Sequence, residues 1–279
     1  MGVSVFGHRG ACGYLPENTM PSFELAFELG SDAIEFDVLL TKDSVPVILH
    51  DIDLTKTTDV AQHPEMKTTV DQLSYQELST LRVIERYPDK RIESAKFSGV
   101  FEIPTLSELL ANPAFDGKHL ILELKDGKYL QTKGLDLVSA VARDLEVSNW
   151  QHRGIKLTVE SFEFSILRNA KTAFGGDIDF VFLSASETLP AGRAKLDDDL
   201  LQEIAKEFDG VSVAIEMLRE GNFVARAKAL GLSVFAYTAR IETAVGDVES
   251  WFEKLVQSGV DGIFADQPDR LIETVTRLS

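Results

Sequence analysis

The chain has 279 residues, a single cysteine and a net charge of −17. One cysteine excludes an intrachain disulfide, so the fold has to stand without oxidation, as in a reducing compartment. The negative field disfavours nucleic acid and anionic lipid surfaces, which bind basic patches, yet admits a small phosphate ester wherever a cation reverses the sign locally.

Residues 3–7 form the first strand-like run, with no basic and apolar leader before it, and nowhere do eighteen apolar residues run together. A cytoplasmic location without stable membrane association is therefore expected. His8 and Arg9 follow that run between Gly7 and Gly10, where glycine allows a sharp turn and close approach of backbone to a ligand. An amphipathic segment at 22–29 comes next and stops at Gly30. The second run, 33–40, carries Glu35 and Asp37 two residues apart, so both carboxylates leave the same face. A ninth strand-like run, 45–50, follows too soon for a helical crossover and is predicted to return antiparallel. A two-residue turn at Asp43-Ser44 would pair Lys42 with Val45 and set Asp37 opposite His50.

Residues 51–104 hold no barrel strand, only a helical piece at 70–81 and a charged stretch at 85–96. They read as an insertion folded over one end of a single domain spanning 1–279. Apolar runs then recur at 120–125, 155–160, 179–183, 210–213, 233–237 and 260–265, the first of them carrying Glu123 and Lys125. They alternate with amphipathic segments at 135–145, 163–173, 198–208, 223–230 and 245–258, the last two stopped by Gly231 and Gly259. Runs rich in Val, Ile, Leu and Phe without strict polar alternation suit strands covered on both faces. The predicted fold is α/β, a (β/α)8 TIM barrel, with an open doubly wound sheet as the other architecture of the same alternation.

In a barrel the C-terminal strand ends form the active-site face, and there Glu35, Asp37 and Glu123 stand on otherwise apolar strands. A single acidic pair is ordinarily a solvated strand face. Burying three carboxylates unpaired is expensive, which favours a site for a hard, oxygen-loving cation, Mg²⁺ or Ca²⁺. His8 and His50 titrate near neutrality and suit an acid–base pair beside it, although two unrelated histidines are the ordinary reading of any pair among five. His63, His119 and His152 have no such setting.

The ordered motifs resemble the glycerophosphodiester phosphodiesterase family along nearly the whole chain. Gly7-His8-Arg9-Gly10 and Pro16-Glu17-Asn18-Thr19 look like its opening motifs, and Glu35-Phe36-Asp37-Val38 is similar to its metal motif. Val47-Ile48-Leu49-His50-Asp51 with Thr57-Thr58 resembles the second histidine motif, and Ile103-Pro104-Thr105-Leu106 the point where the family's insertion rejoins the barrel. Leu122-Glu123-Leu124-Lys125, Ser161-Phe162 and Gly259-Val260-Asp261-Gly262-Ile263 follow in order. The resemblance implies one divalent metal on Glu35, Asp37 and Glu123, acid–base catalysis by His8 and His50, and phosphate held by Arg9 and Lys125. Tyr237 stands where the family most often has Trp, and its ring is available to glycerol or a choline-like cation. Arg240 and Gln267 depart from the common Asn and Tyr. The implied substrate is a small glycerophosphodiester, cleaved to glycerol 3-phosphate and an alcohol. A lysophospholipase D or phosphatidylinositol-type phosphodiesterase on the same barrel, or a non-catalytic phosphate-binding barrel, are the alternatives. A homo-oligomer is compatible with the sequence.

Overall fold

The computed structural model describes residues 2–189, 196–219 and 222–279. Each apolar run of the sequence is a strand: β1 (Ser4–Gly7), β2 (Ala33–Leu40), β3 (Pro46–Ile48), β4 (His119–Leu124), β5 (Lys156–Ser161), β6 (Ile178–Ser184), β7 (Gly210–Ala214), β8 (Ser233–Ala239) and β9 (Gly262–Ala265). Hydrogen bonding runs in the order β1-β9-β8-β7-β6-β5-β4-β2-β3, and β1 also pairs with β2, so eight parallel strands close on themselves with β3 outside. Closure decides for the TIM barrel over the open sheet.

A helix follows each barrel strand: α1 (Met20–Glu28), α2 (Leu106–Ala111), α3 (Leu137–Ser148), α4 (Phe164–Ala173), α5 (Asp198–Glu207), α6 (Phe223–Ala229), α7 (Val248–Val256) and α8 (Pro268–Leu278). Their starts are written in side chains that accept orphan backbone N–H groups. Thr19 caps α1, Asp136 caps α3, Asp247 caps α7, and Thr105 forms a reciprocal capping box with Glu108 on α2. No described helix is long and apolar enough to cross a membrane.

Strand alternation divides the core in two. On β2 and β4 the side chains of Ile34, Phe36, Val38, Leu120, Leu122 and Leu124 pack outward into the helix layer. Ala33 and Ile121 instead join Phe6 and Phe264 inside the barrel, with Phe235 and Tyr237 against them. The Phe6 ring meets Phe235 and Phe264 edge-on with centroids 5.1 Å apart in both pairs. These rings floor the barrel, and the next inward positions up the strands are carboxylates. Gly262 makes room for that floor, since a Cβ there would lie 2.3 Å from the Phe6 ring.

Two local expectations fail. The β2–β3 hairpin pairs Val38 with Ile48, Leu39 with Val47 and Leu40 with Pro46, one residue out of the predicted register. Thr41 N–H donates to Val45 O at 3.1 Å, leaving a three-residue turn whose last residue, Ser44, has φ 63°. This is the turn-plus-left-handed-residue hairpin, with serine in a place that usually announces itself with glycine. Asp37 therefore faces Leu49, whose N–H donates to Asp37 O at 3.0 Å, and not His50. The helix predicted at 70–81 is two separate turns, Val70–Gln72 and Tyr75–Leu78. Leu73 and Ser74 are extended because Ser74 caps the second turn in a capping box with Glu77, which requires a non-helical ψ.

Candidate active site

The loop after β1 turns sharply enough to aim both His8 and the Arg9 backbone into the barrel mouth. Arg9 is left-handed at φ 51° and Gly10 at φ 83°, and a Cβ on Gly10 would lie 2.5 Å from the Ser22 carbonyl carbon. Only glycine allows that approach. His8 N–H donates to Ala265 O at 3.0 Å, tying the loop to β9, and its ring Nδ1 lies 2.7 Å from Asp266 Oδ1. Burial, and then the Arg9 charge, pull the His8 pKa down to about 4 against Asp266, so the ring is neutral at pH 7.

Glu35, Asp37 and Glu123 are buried, and one ligand oxygen from each lies within 4.8 Å of the others. Arg9 N–H donates to Glu35 Oε2 at 2.9 Å, and Asn18 Nδ2 donates to Asp37 Oδ2 at 2.8 Å. Arg9 Nε sits 3.2 Å from Asp37 Oδ2 without the alignment of a hydrogen bond, and Asp37 Oδ1 is buried with no hydrogen-bond partner among the described residues, Lys125 Nζ lying 3.9 Å away. Burial, and then the Asp37 charge, push Glu35 well above the ordinary carboxylate range, while burial raises Glu123 to about 7. Burial acts on Asp37 in the same direction, but Arg9, His50 and Lys125 outweigh it and hold Asp37 low. Crowded oxygen donors, two of them reluctant to ionise and one with an orphan lone pair, fit a hard divalent cation. A second group, His8, Cys12 and Asp266, also converges. Its Asp266 already faces two guanidiniums, Arg91 and Arg240, charge that a cation would have to displace.

Despite the register error, His50 reaches the site, because the chain leaves β3 at Ile48 and folds its ring back over the strand ends. Its Nε2 lies 3.1 Å from Lys125 Nζ and its Nδ1 lies 2.7 Å from Asp51 Oδ1. An ammonium only donates and a carboxylate only accepts, so the network assigns the proton to Nδ1 and the lone pair to Nε2. Lys125 also contacts Glu123 Oε1 at 3.0 Å and lies over the Phe162 ring at 5.6 Å.

A cavity of about 140 Å³ opens above these groups and is lined by His8, Arg9, Glu35, His50, Glu123 and Tyr237 among others. All eight residues singled out in the sequence thus surround one place, six of them on that lining and Asp37 and Lys125 in contact with it. Tyr237 O–H donates to Ser184 O at 2.8 Å and its ring meets Phe162 edge-on at 5.9 Å. Arg240 lines the cavity, whereas Gln267 is turned aside to Glu242 and the Ile241 backbone. His119 lies at the barrel floor against Phe6, donor or acceptor to Thr158 Oγ1 at 2.8 Å, and is structural.

Sequence reasoning missed Glu160. It is 2 % exposed, lines the cavity, and its Oε2 has no hydrogen-bond partner among the described residues. Burial and then the Glu123 charge push its pKa well up. The signal was present: Thr158, Glu160 and Phe162 alternate along β5 and just past its end as Ile121, Glu123 and Lys125 do for β4, and Glu160 is in register with Glu123. Asp266 was missed as well, since it follows β9 at the far end of the chain and meets His8 only through barrel closure.

The model of the glycerophosphoryl diester phosphodiesterase family matches residues 8–270. A glycerophosphodiester phosphodiesterase of Bacillus subtilis (strain 168) is 27% identical over 96% of this chain and 84% of its own length. A crystal structure from Silicibacter pomeroyi DSS-3 superposes with a TM-score of 0.80 at 27% identity, covering 99% of this chain and 94% of that one. An Oleispira antarctica phosphodiesterase, solved in complex with the product sn-glycerol-3-phosphate, superposes with a TM-score of 0.73 at 26% identity over 99% of this chain and 97% of its own. With the barrel closed and its mouth furnished in this way, the chain belongs to the glycerophosphoryl diester phosphodiesterase family and is a glycerophosphodiester phosphodiesterase.

Proposed function

We propose that the whole chain, 1–279, acts as one catalytic domain, with 51–104 an insertion in it, and hydrolyses small glycerophosphodiesters such as glycerophosphocholine or glycerophosphoethanolamine. The products are glycerol 3-phosphate and the alcohol. The observation that carries the reading is the convergence of two Asp-paired histidines on the rim of a cavity floored by three carboxylates. Glu35, Asp37 and Glu123 would hold Mg²⁺ or Ca²⁺, which would offset charge on the phosphate and acidify a glycerol hydroxyl. A cytoplasmic setting, in which buried Cys12 stays reduced, fits this reading.

Arg9 and Lys125 hold the phosphate by charge-assisted contacts. His8, neutral through burial, takes the proton of the glycerol hydroxyl at Nε2 while that oxygen attacks phosphorus. His50 carries a proton on Nε2 once the anionic substrate is beside it, and delivers it to the departing alcohol oxygen as the P–O bond breaks. The resulting cyclic glycerophosphate is opened by water with the two roles reversed. Tyr237 offers its ring face to the glycerol or to a quaternary ammonium on the leaving group.

The experiment is release of glycerol 3-phosphate from glycerophosphocholine, with added Mg²⁺ or Ca²⁺ and with EDTA, and with lysophosphatidylcholine in parallel. Metal-dependent release that EDTA abolishes supports the proposal. Turnover of lysophosphatidylcholine alone transfers it to a lipid substrate, and rapid-quench failure to detect the cyclic ester removes the internal attack in favour of water.

A further inference from the structure

The two histidines are held alike, and the insertion does the holding. His50 Nδ1 lies 2.7 Å from Asp51 Oδ1, and the other oxygen, Asp51 Oδ2, lies 2.7 Å from Arg86 Nη1. His8 Nδ1 lies 2.7 Å from Asp266 Oδ1, and Asp266 Oδ2 accepts from Arg91 Nη2. Each aspartate spends one oxygen on a ring and the other on a guanidinium. Arg86 and Arg91 are five residues apart, and both belong to the segment that contributes no barrel strand.

Neither arginine is a loose surface group. Their side chains are 11% and 4% exposed. The remaining edge of Arg86 forks onto Glu17, with Nε to Oε2 at 2.8 Å and Nη2 to Oε1 at 2.7 Å, and Glu17 in turn accepts from Arg9 Nη1 at 2.9 Å. Arg91 donates through Nε to Glu242 at 2.6 Å and through Nη1 to Cys12 O at 2.8 Å, and its guanidinium stacks 5.3 Å from the Tyr87 ring centre. A planar fork bonded on several edges fixes the plane of the carboxylate it meets, and a fixed carboxylate fixes the imidazole. Lysine has no such geometry.

We propose that Arg86 and Arg91 are positioning residues, by which the 51–104 insertion locks Asp51–His50 and Asp266–His8 with each Nδ1 protonated and each Nε2 turned to the substrate. The insertion is then neither a passive lid nor a separate module: folding it down assembles both ends of the acid–base relay at once. The two clamps are unequal. Asp266 has a second guanidinium, Arg240 Nε at 3.0 Å, whereas among the described residues Asp51 has Arg86 alone.

This inference rests on the acid–base roles proposed above, but its test does not need turnover. The full chain, labelled with ¹⁵N in histidine and kept in Mg²⁺, reports each ring's tautomer by NMR. Arg91→Gln is expected to perturb the His8 Nδ1–H signal and spare His50, and Arg86→Gln to do the converse. Loss of alignment by about 1 Å costs on the order of 10²-fold, so kcat should fall by that order for Arg86→Gln and less for Arg91→Gln, with KM little changed. In an Asp51→Asn or Asp266→Asn background the matching arginine change should have almost no further effect. Arg86→Lys and Arg91→Lys keep the charge and guard against simple misfolding; they should retain the fold but not the full rate. Ring signals that stay put in the Gln and Lys variants while kcat falls would overturn the proposal, as would losses that add fully to those of the aspartate variants.

Discussion

Glu123→Gln is expected to stabilise the metal-free protein at alkaline pH and to weaken it, relative to the parent, once Mg²⁺ or Ca²⁺ is supplied. Glu123 is 7% exposed, and burial raises its pKa from 4.5 to about 7 although Lys125 pulls the other way. A raised folded-state pKa means the folded protein binds this proton more tightly than the unfolded chain. The stability it confers is complete below 4.5 and is lost as pH rises through about 7. At about 1.4 kcal/mol per unit the loss is about 3 kcal/mol, or on the order of 6 °C in Tm for a protein of this size. Glutamine mimics the neutral carboxyl and escapes it. Buried His8 and half-buried His119, both held near 4, pull stability upward with pH between about 4 and 6.5, so only the difference between parent and variant isolates Glu123. Thermal unfolding by circular dichroism in EDTA should show equal Tm values at acid pH and a more stable variant above about pH 8. A cation at about 1,000 times the parent's Kd should lift the parent by about 4.1 kcal/mol, and a variant that has lost a ligand oxygen by well under about 1 kcal/mol, which reverses the order. A variant no more stable than the parent in EDTA above pH 8, or equal metal stabilisation of both, would refute the account of these carboxylates as a strained cation cradle.

Each of His8→Ala and His50→Ala should lower kcat by about 10²- to 10⁴-fold with an unchanged circular dichroism spectrum; a parental rate in either removes that residue from the acid–base pair. Gly10→Ala forces a side chain into a left-handed site against the Ser22 backbone. It should cost about 1–3 kcal/mol in urea unfolding and lower activity by displacing His8 and Arg9, and a neutral result would mean the loop relaxes freely. Phe6→Ala removes the ring that floors the barrel and should destabilise by about 3–5 kcal/mol. Tyr237→Ala should raise KM for glycerophosphocholine about 3- to 10-fold, and an unchanged KM would place the ring away from the ammonium.

The convergence of Glu35, Asp37 and Glu123 was legible because strand geometry is local. Glu35 and Asp37 share a face wherever a strand forms, and Glu123 and Lys125 repeat the spacing on the neighbouring strand. Glu160 obeys the same alternation and was passed over only because one carboxylate on a strand is not distinctive by itself. The hairpin register was not legible, since Ser44 adopts a left-handed conformation that its sequence neighbours do not require.

Taken alone, the sequence determined the alternation of strands and helices, the helix caps and the set of chemically able residues, all of which depend on contacts a few positions apart. Tertiary structure decided which of those residues meet. The His8–Asp266 pair spans 258 positions and exists only because β9 closes against β1, and Arg91 reaches the same aspartate across 175. Helical and strand periodicities carry no information on such distances. The partners of a buried charge are fixed by the cost of leaving it unpaired in the finished fold.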